Sequence, residues 1–261
     1  MAIKTIFYEQ NELKISYDFI DKNSNQTILI IHGWGSNKEL MSLALKDICI
    51  NQIYIDLPGF GKSSVPFRAF DSIDYTMVVR EFMKACEYKI DFVLGHSYGG
   101  KISVLLTKTN LKKQNNDFIP CDDFDNDIKL ILLSSAGIRI EKSFTTKLKI
   151  SIFKILKKLG FSFLQKAFIS KDAQGMSSVM YETFKKVVDE DISNILSSTK
   201  NHTLLLWGKK DTATPLICAN AFKSLLQNSS LHIIDEDHFF FLKEKQNCVK
   251  LINSFILDDK I

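Results

Sequence analysis

Apolar positions along this chain follow two rhythms. Residues 3–9 and 12–18 alternate apolar and polar side chains on either side of a short "QNE" connection, the period-two pattern of an antiparallel hairpin. Beyond residue 26 the alternation gives way to short, unbroken apolar runs rich in β-branched residues: "TILIIHG" (27–33), "QIYIDLPG" (52–59), "DFVLGHS" (91–97), "IKLILLSS" (128–135), "TLLLWG" (203–208) and "LHIID" (231–235). Runs of this kind suit strands buried on both faces. Between most of them lie segments of helical periodicity, at 72–88, 98–108, 216–226 and 243–256. Alternating strands and helices predict an α/β fold with a mostly parallel central sheet flanked by helices.

Residues 139–200 break this alternation, because they separate two strand-like runs and hold at least two helical stretches, more chain than a crossover needs. They are read as a helical cap inserted into a core made of residues 1–138 and 201–261. Within the cap, Phe144, Leu148, Ile152, Ile155, Leu159 and Phe163 recur at steps of three or four and form one apolar stripe, with Lys147, Lys154, Lys157 and Lys158 largely off it. The stretch 144–166 is expected to roof a pocket. A solvated amphipathic helix packed permanently on the core is its second reading; because a basic amphipathic helix is also the signature of interfacial binding, contact with a membrane surface is its third. A smaller polar insertion at 110–127 reads as a surface loop. Its aspartates lack the turn glycine and closing glutamate of a calcium loop, so no metal is expected there.

The chain's 261 residues suffice for one large domain with a substantial core, and 45% hydrophobic with 25% charged residues is the balance of a globular protein. A net charge of +4, with no dense basic block interleaved with aromatics, argues against nucleic acid as a partner. The five cysteines (49, 86, 121, 218, 248) are widely spaced and include no CxxC pair, and are read as reduced, mostly buried thiols. The N-terminal stretch is interrupted by Glu9, Glu12 and Lys14 before any long apolar core develops, which fits neither a signal peptide nor a spanning helix; a cytoplasmic location is expected.

Candidate chemistry begins at "GHSYGG" (95–100), a G-x-S-x-G run that leaves a strand and opens a helix. Gly95 and Gly99 permit a sharp turn that lifts the Ser97 hydroxyl above the strand end, and the Tyr98 amide at the helix start faces any negative charge developing there. A serine nucleophile needs a base held by an orienting acid. Asp211, in "WGKKDTATP", and His238, in "DEDHFFF", each lie just past a strand, at the edge where open parallel sheets gather their functional groups. Asp235 and Asp237 are rival acids too near His238 in sequence to orient its ring easily. His202 precedes a strand and His232 lies within one, so both are weaker bases. His96 is read as structural, pointing away from the site. "IHGWGSN" (31–37) supplies a glycine-rich turn in which Trp34 can present a second oxyanion donor, with His32 and Gly33 shaping the turn. "DLPGFGKSS" (56–64) lacks the spacing of a phosphate cradle and reads as a turn near the site.

Together, "HGWG", "DLPGFGKS", "GHSYGG", "WGKKDTATP" and the late histidine of "DEDHFFF" resemble the α/β-hydrolase superfamily, in its lidded group of esterases, lipase-like enzymes and meta-cleavage product hydrolases, over nearly the whole chain. The resemblance implies an α/β-hydrolase fold and the order nucleophile, acid, base. Related dehalogenases and epoxide hydrolases carry aspartate where this chain has Ser97. The implied activity is ester hydrolysis on a small or medium acyl substrate through an acyl-enzyme, without cofactor or metal. The alternatives are hydrolysis of carbon–carbon bonds in dienoate-type diketones, for which Arg80 or Arg139 would seat the substrate carboxylate, and a noncatalytic ligand-binding protein on the same scaffold.

Overall fold

In the computed structural model, which describes residues 1–119, 127–139 and 177–258, strand β1 (Ala2–Tyr8) folds back on β2 (Asn11–Ile20) with Tyr8 opposite Asn11. The connection is therefore the two residues Glu9 and Gln10, both at positive φ (47° and 64°), the backbone of a tight hairpin turn whose twist matches the strands. It is shorter than the "QNE" link read from the sequence. β2 then pairs antiparallel with β4 (Asn51–Ile55), and every later pairing in the main sheet is parallel.

The order across its eight strands is β1-β2-β4-β3-β5-β8-β9-β10, with β3 (Thr27–Ile31), β5 (Phe92–His96), β8 (Lys129–Leu133), β9 (Thr203–Gly208) and β10 (Ser229–Ile234). β3, β5 and β9 are buried along their whole length, which explains their unbroken apolar runs. Successive side chains point to opposite faces. Leu29, Ile31 and Val93 thus join one core with α2 (Ser72–Cys86), α3 (Tyr98–Leu106) and α6 (Leu216–Leu225). Ile28, Ile30 and Leu94 join a second core on the other face with α1 (Lys38–Leu45) and α8 (Lys245–Leu257). α1 is absent from the periodicity reading. Its signal was local: Asn37 accepts the Leu40 amide as an N-cap ahead of buried Met41, Ala44 and Leu45. The C-terminal helix is split into a short α7 (Phe240–Lys243) and α8.

The polar insertion carries a two-stranded ribbon, β6 (Lys113–Gln114) with β7 (Asp117–Phe118), and residues 120–126 lie outside the described residues. Of the expected cap, the described part forms α4 (Ser178–Val187) and α5 (Ser193–Ser198), while the stretch 144–166 lies outside the described residues. Among the described residues Cys218 and Cys248 are buried, Cys49 is exposed and Cys86 half-buried, so burial of these four thiols is only partial, and Cys121 lies outside the described residues. No helix among the described residues is long and apolar enough to cross a membrane.

Candidate active site

The parallel strands β3, β5, β8, β9 and β10 all release their chain at one edge of the sheet, and that edge carries the candidate chemistry. At the end of β5, Ser97 holds φ 51° and ψ −115°, a conformation that costs a non-glycine residue on the order of 1–3 kcal/mol. Close packing enforces it. A Cβ on Gly95 would meet the Gly99 carbonyl oxygen at 2.3 Å, and one on Gly99 would meet that of Ile31 at 2.3 Å, so α3 sits on β3 and β5 at a distance only glycine allows. The turn is also clamped from β8: the Ser97 amide donates to Leu133 O at 3.0 Å and the Ser97 carbonyl accepts from the Ala136 amide at 2.9 Å.

Asp211 and His238 meet beside it. Asp211 Oδ2 lies 2.7 Å from His238 Nδ1 and also accepts from Thr214 Oγ1 at 2.8 Å. Oδ1 takes the amides of Ala213 and Thr214 at 2.8 and 2.9 Å. Burial by itself raises the Asp211 pKa, but the hydrogen bonds from His238, Ser134 and the Thr214 backbone outweigh it and hold the carboxyl down to about 2. An ionised carboxylate on Nδ1 leaves Nε2 as the proton-accepting nitrogen. The rival acids are committed elsewhere: Asp235 is exposed and pairs with Lys209 and Lys210, and Asp237 pairs with Lys243. Thr214, which the sequence reading passed over, was signalled by its place three residues after an aspartate, where an Asx-type turn forms.

Ser97 and His238 share the wall of a cavity of about 580 Å³ with Trp34 and Tyr98. The Tyr98 amide is the first N–H of α3 and has no acceptor within the helix. The "HGWG" turn closes with the Ser36 amide on Gly33 O at 3.2 Å, and the Trp34 indole packs edge-on against Phe60 and Tyr98. His32 ties this turn to the next loop: Nδ1 donates to Gly33 O at 2.7 Å while Nε2 accepts the Leu57 amide at 3.0 Å. The "DLPGFGKS" loop does not line the cavity. It wraps the buried Asp56 carboxylate, which accepts the amides of Lys38 and Lys62.

His96 differs from its expected place. Its ring lies 4.6 Å from that of His238, it lines the cavity, and its Nε2 donates to the His238 carbonyl at 3.1 Å. Burial pushes its pKa down to about 3, so the ring stays neutral. Arg80 does not line the cavity; it is buried with its guanidinium on the carbonyls of Leu105, Leu106 and Lys108. Arg139 does line it, paired with Asp117 at 2.6 Å. Two charged residues that the sequence reading missed stand on the same wall, Lys101 and Glu190. Lys101 was detectable as a lone charge in the apolar helix "GGKISVLL".

The profile of the alpha/beta hydrolase family matches residues 28–246. The AB hydrolase superfamily protein YisY of Bacillus subtilis (strain 168) is 24% identical over 274 residues, spanning 95% of this chain and 98% of its own. Among solved structures, the esterase EaEST from Exiguobacterium antarcticum superposes with a TM-score of 0.72 at 21% identity, covering 97% of this chain and 98% of that one. The meta-cleavage product hydrolase CumD from Pseudomonas fluorescens IP01 does so at 0.70 and 16%, covering 98% of each. At these identities the two structures establish the common fold.

Proposed function

Because the chain belongs to the alpha/beta hydrolase family, we propose that it is a cytoplasmic serine hydrolase that cleaves esters of small or medium acyl groups. The observation that carries this reading is the 2.7 Å contact between Asp211 and His238 on a cavity whose wall also holds a strained, upward-turned Ser97. Ser97 Oγ attacks the carbonyl carbon as its proton passes to His238 Nε2. Asp211 stabilises the imidazolium, and the amides of Trp34 and Tyr98 take the negative oxygen. His238 then protonates the departing alcohol. Water adds to the acyl-enzyme by the same route, releasing the acid and restoring Ser97, so one ester and one water become one acid and one alcohol.

Carbon–carbon cleavage of a dienoate needs a cationic seat for the substrate carboxylate. With Arg80 held on backbone carbonyls and Arg139 paired with Asp117, the two arginines suggested for that seat are already engaged, which favours the ester. A noncatalytic binding protein would have no use for the Asp211–His238 pair. Residues 139–200 are proposed to form the cap, and its described helix α4 lines the cavity with Phe184 and Val187.

The test is labelling with a fluorophosphonate together with turnover of p-nitrophenyl acetate and of a dienoate ring-fission product. Wild type is expected to label and to favour the acetate, and Ser97→Ala to do neither while remaining folded. Full activity in Ser97→Ala, with labelling at another serine, would remove Ser97 from the mechanism.

A further inference from the structure

The cavity is mostly apolar, walled by Trp34, Ile138, Phe184, Val187 and Phe239, yet it carries two charged side chains that are almost wholly inside: Lys101 and Glu190 are each 2% exposed. A buried ion pair is poor value for stability, since desolvation offsets most of its attraction. Its position is informative. Lys101 stands in the second turn of α3, the helix that Ser97 precedes, and lines the same cavity as Ser97; side chains of a helix lean toward its N-terminus, here the Ser97 end. Its ammonium lies over the ring of Tyr98, the residue that follows Ser97.

Lys101 Nζ has three N–H donors. One meets Val187 O at 2.7 Å and one faces Glu190 Oε2 at 3.5 Å. Among the described residues the third has no acceptor, only the face of Tyr98 at 5.5 Å from the ring centroid. Glu190 is fully engaged: Oε1 pairs with Lys113 at 2.6 Å and Oε2 accepts from Ser72 Oγ as well as from Lys101. Lys113 is in turn bound to Asp71 at 2.7 Å. Two cations and two carboxylates balance, so the network has no net charge to offer a further anion. A carboxylate placed there would be stripped of water beside Glu190, whereas a neutral oxygen would take the vacant N–H without that cost.

We propose that Lys101 is a specificity residue that donates a hydrogen bond to a neutral oxygen, a keto or hydroxyl group, on the acyl part of the substrate, with Glu190 holding its ammonium in place. This rests on the ester-hydrolase reading. The competing explanation is a strut joining α3 to the base of α4, which would affect every ester alike.

Three methyl esters matched in length separate these cases: methyl 5-oxohexanoate, methyl hexanoate and monomethyl glutarate, followed by acid release, with any ester that is not turned over scored by its protection of Ser97 against the fluorophosphonate. Wild type is expected to favour the oxo ester over the hexanoate by about tenfold in kcat/KM, the scale of one hydrogen bond to a charged donor, and to discriminate against the glutarate. Lys101→Gln, which keeps an N–H, should retain part of that ratio. Lys101→Met combined with Glu190→Gln should bring it close to one. Equal use of the oxo ester and the hexanoate by wild type, or a ratio unchanged in the double variant, would overturn the assignment, and preference for the glutarate would overturn the neutral class. Loss of labelling and of all ester turnover in wild type would instead refute the hydrolase reading on which it stands.

Discussion

His96 lies beneath His238: their rings are 4.6 Å apart and His96 Nε2 donates to the His238 main-chain carbonyl at 3.1 Å. The base candidate is thus fixed twice, through its ring by Asp211 and through its backbone by the residue preceding Ser97. Since burial keeps His96 neutral, with a pKa near 3, its part in the proposed mechanism is to position His238 and not to carry a proton.

Replacement of His96 should act on turnover through His238. His96→Leu is expected to lower kcat by about tenfold to a hundredfold with little change in KM, and His96→Gln, whose side-chain amide can reach the same carbonyl, to recover most of the loss. A purely packing role would leave Gln no better than Leu. The readout is kcat and KM for a p-nitrophenyl ester across pH.

Asp211→Asn should cost on the order of a thousandfold to ten-thousandfold in kcat, because an amide holds the imidazole in the wrong tautomer. It should also alter acid stability. The folded pKa of about 2 lies below the ordinary 3.8, so ionised Asp211 contributes about 2 kcal/mol above pH 4 that is lost as pH falls toward 2. The difference in melting temperature between wild type and Asp211→Asn should therefore shrink as pH drops from 5 to 2. A constant difference would contradict this linkage.

Ser97 stores strain that glycine would release. Ser97→Gly is expected to be more stable than Ser97→Ala by about 1 kcal/mol, or roughly 2–4 °C in melting temperature, since both lack the hydroxyl and only glycine tolerates φ 51° without cost. Thermal unfolding of the two inactive variants side by side checks it.

Asp235→Asn should change kcat/KM by less than about twofold and stability by less than about 0.5 kcal/mol, as its exposed carboxylate serves only surface pairs with Lys209 and Lys210. A severe kinetic loss, with Asp211→Asn mild, would reassign the acid.

The strands of the main sheet, their mostly parallel arrangement and the places of Ser97, Asp211 and His238 past strand ends were legible in the sequence, because each is written locally: a period of two, a buried β-rich run, glycines around one serine, a turn after each strand; the ribbon of β6 and β7, two residues each, was not. α1 was not read from the sequence, because its eight residues are too short for a clear helical period and its only signal is the cap Asn37. What only the tertiary structure decided are contacts between positions far apart in the chain. His96 and His238 are 142 residues apart, Lys101 and Glu190 89, and Arg80 turns to the carbonyls at the end of α3 rather than to the cavity. Local pattern determines which backbone conformation each segment adopts and which face it buries. Which side chains then touch depends on how helices and loops stack across a shared sheet edge, and no local pattern of residues records that spacing.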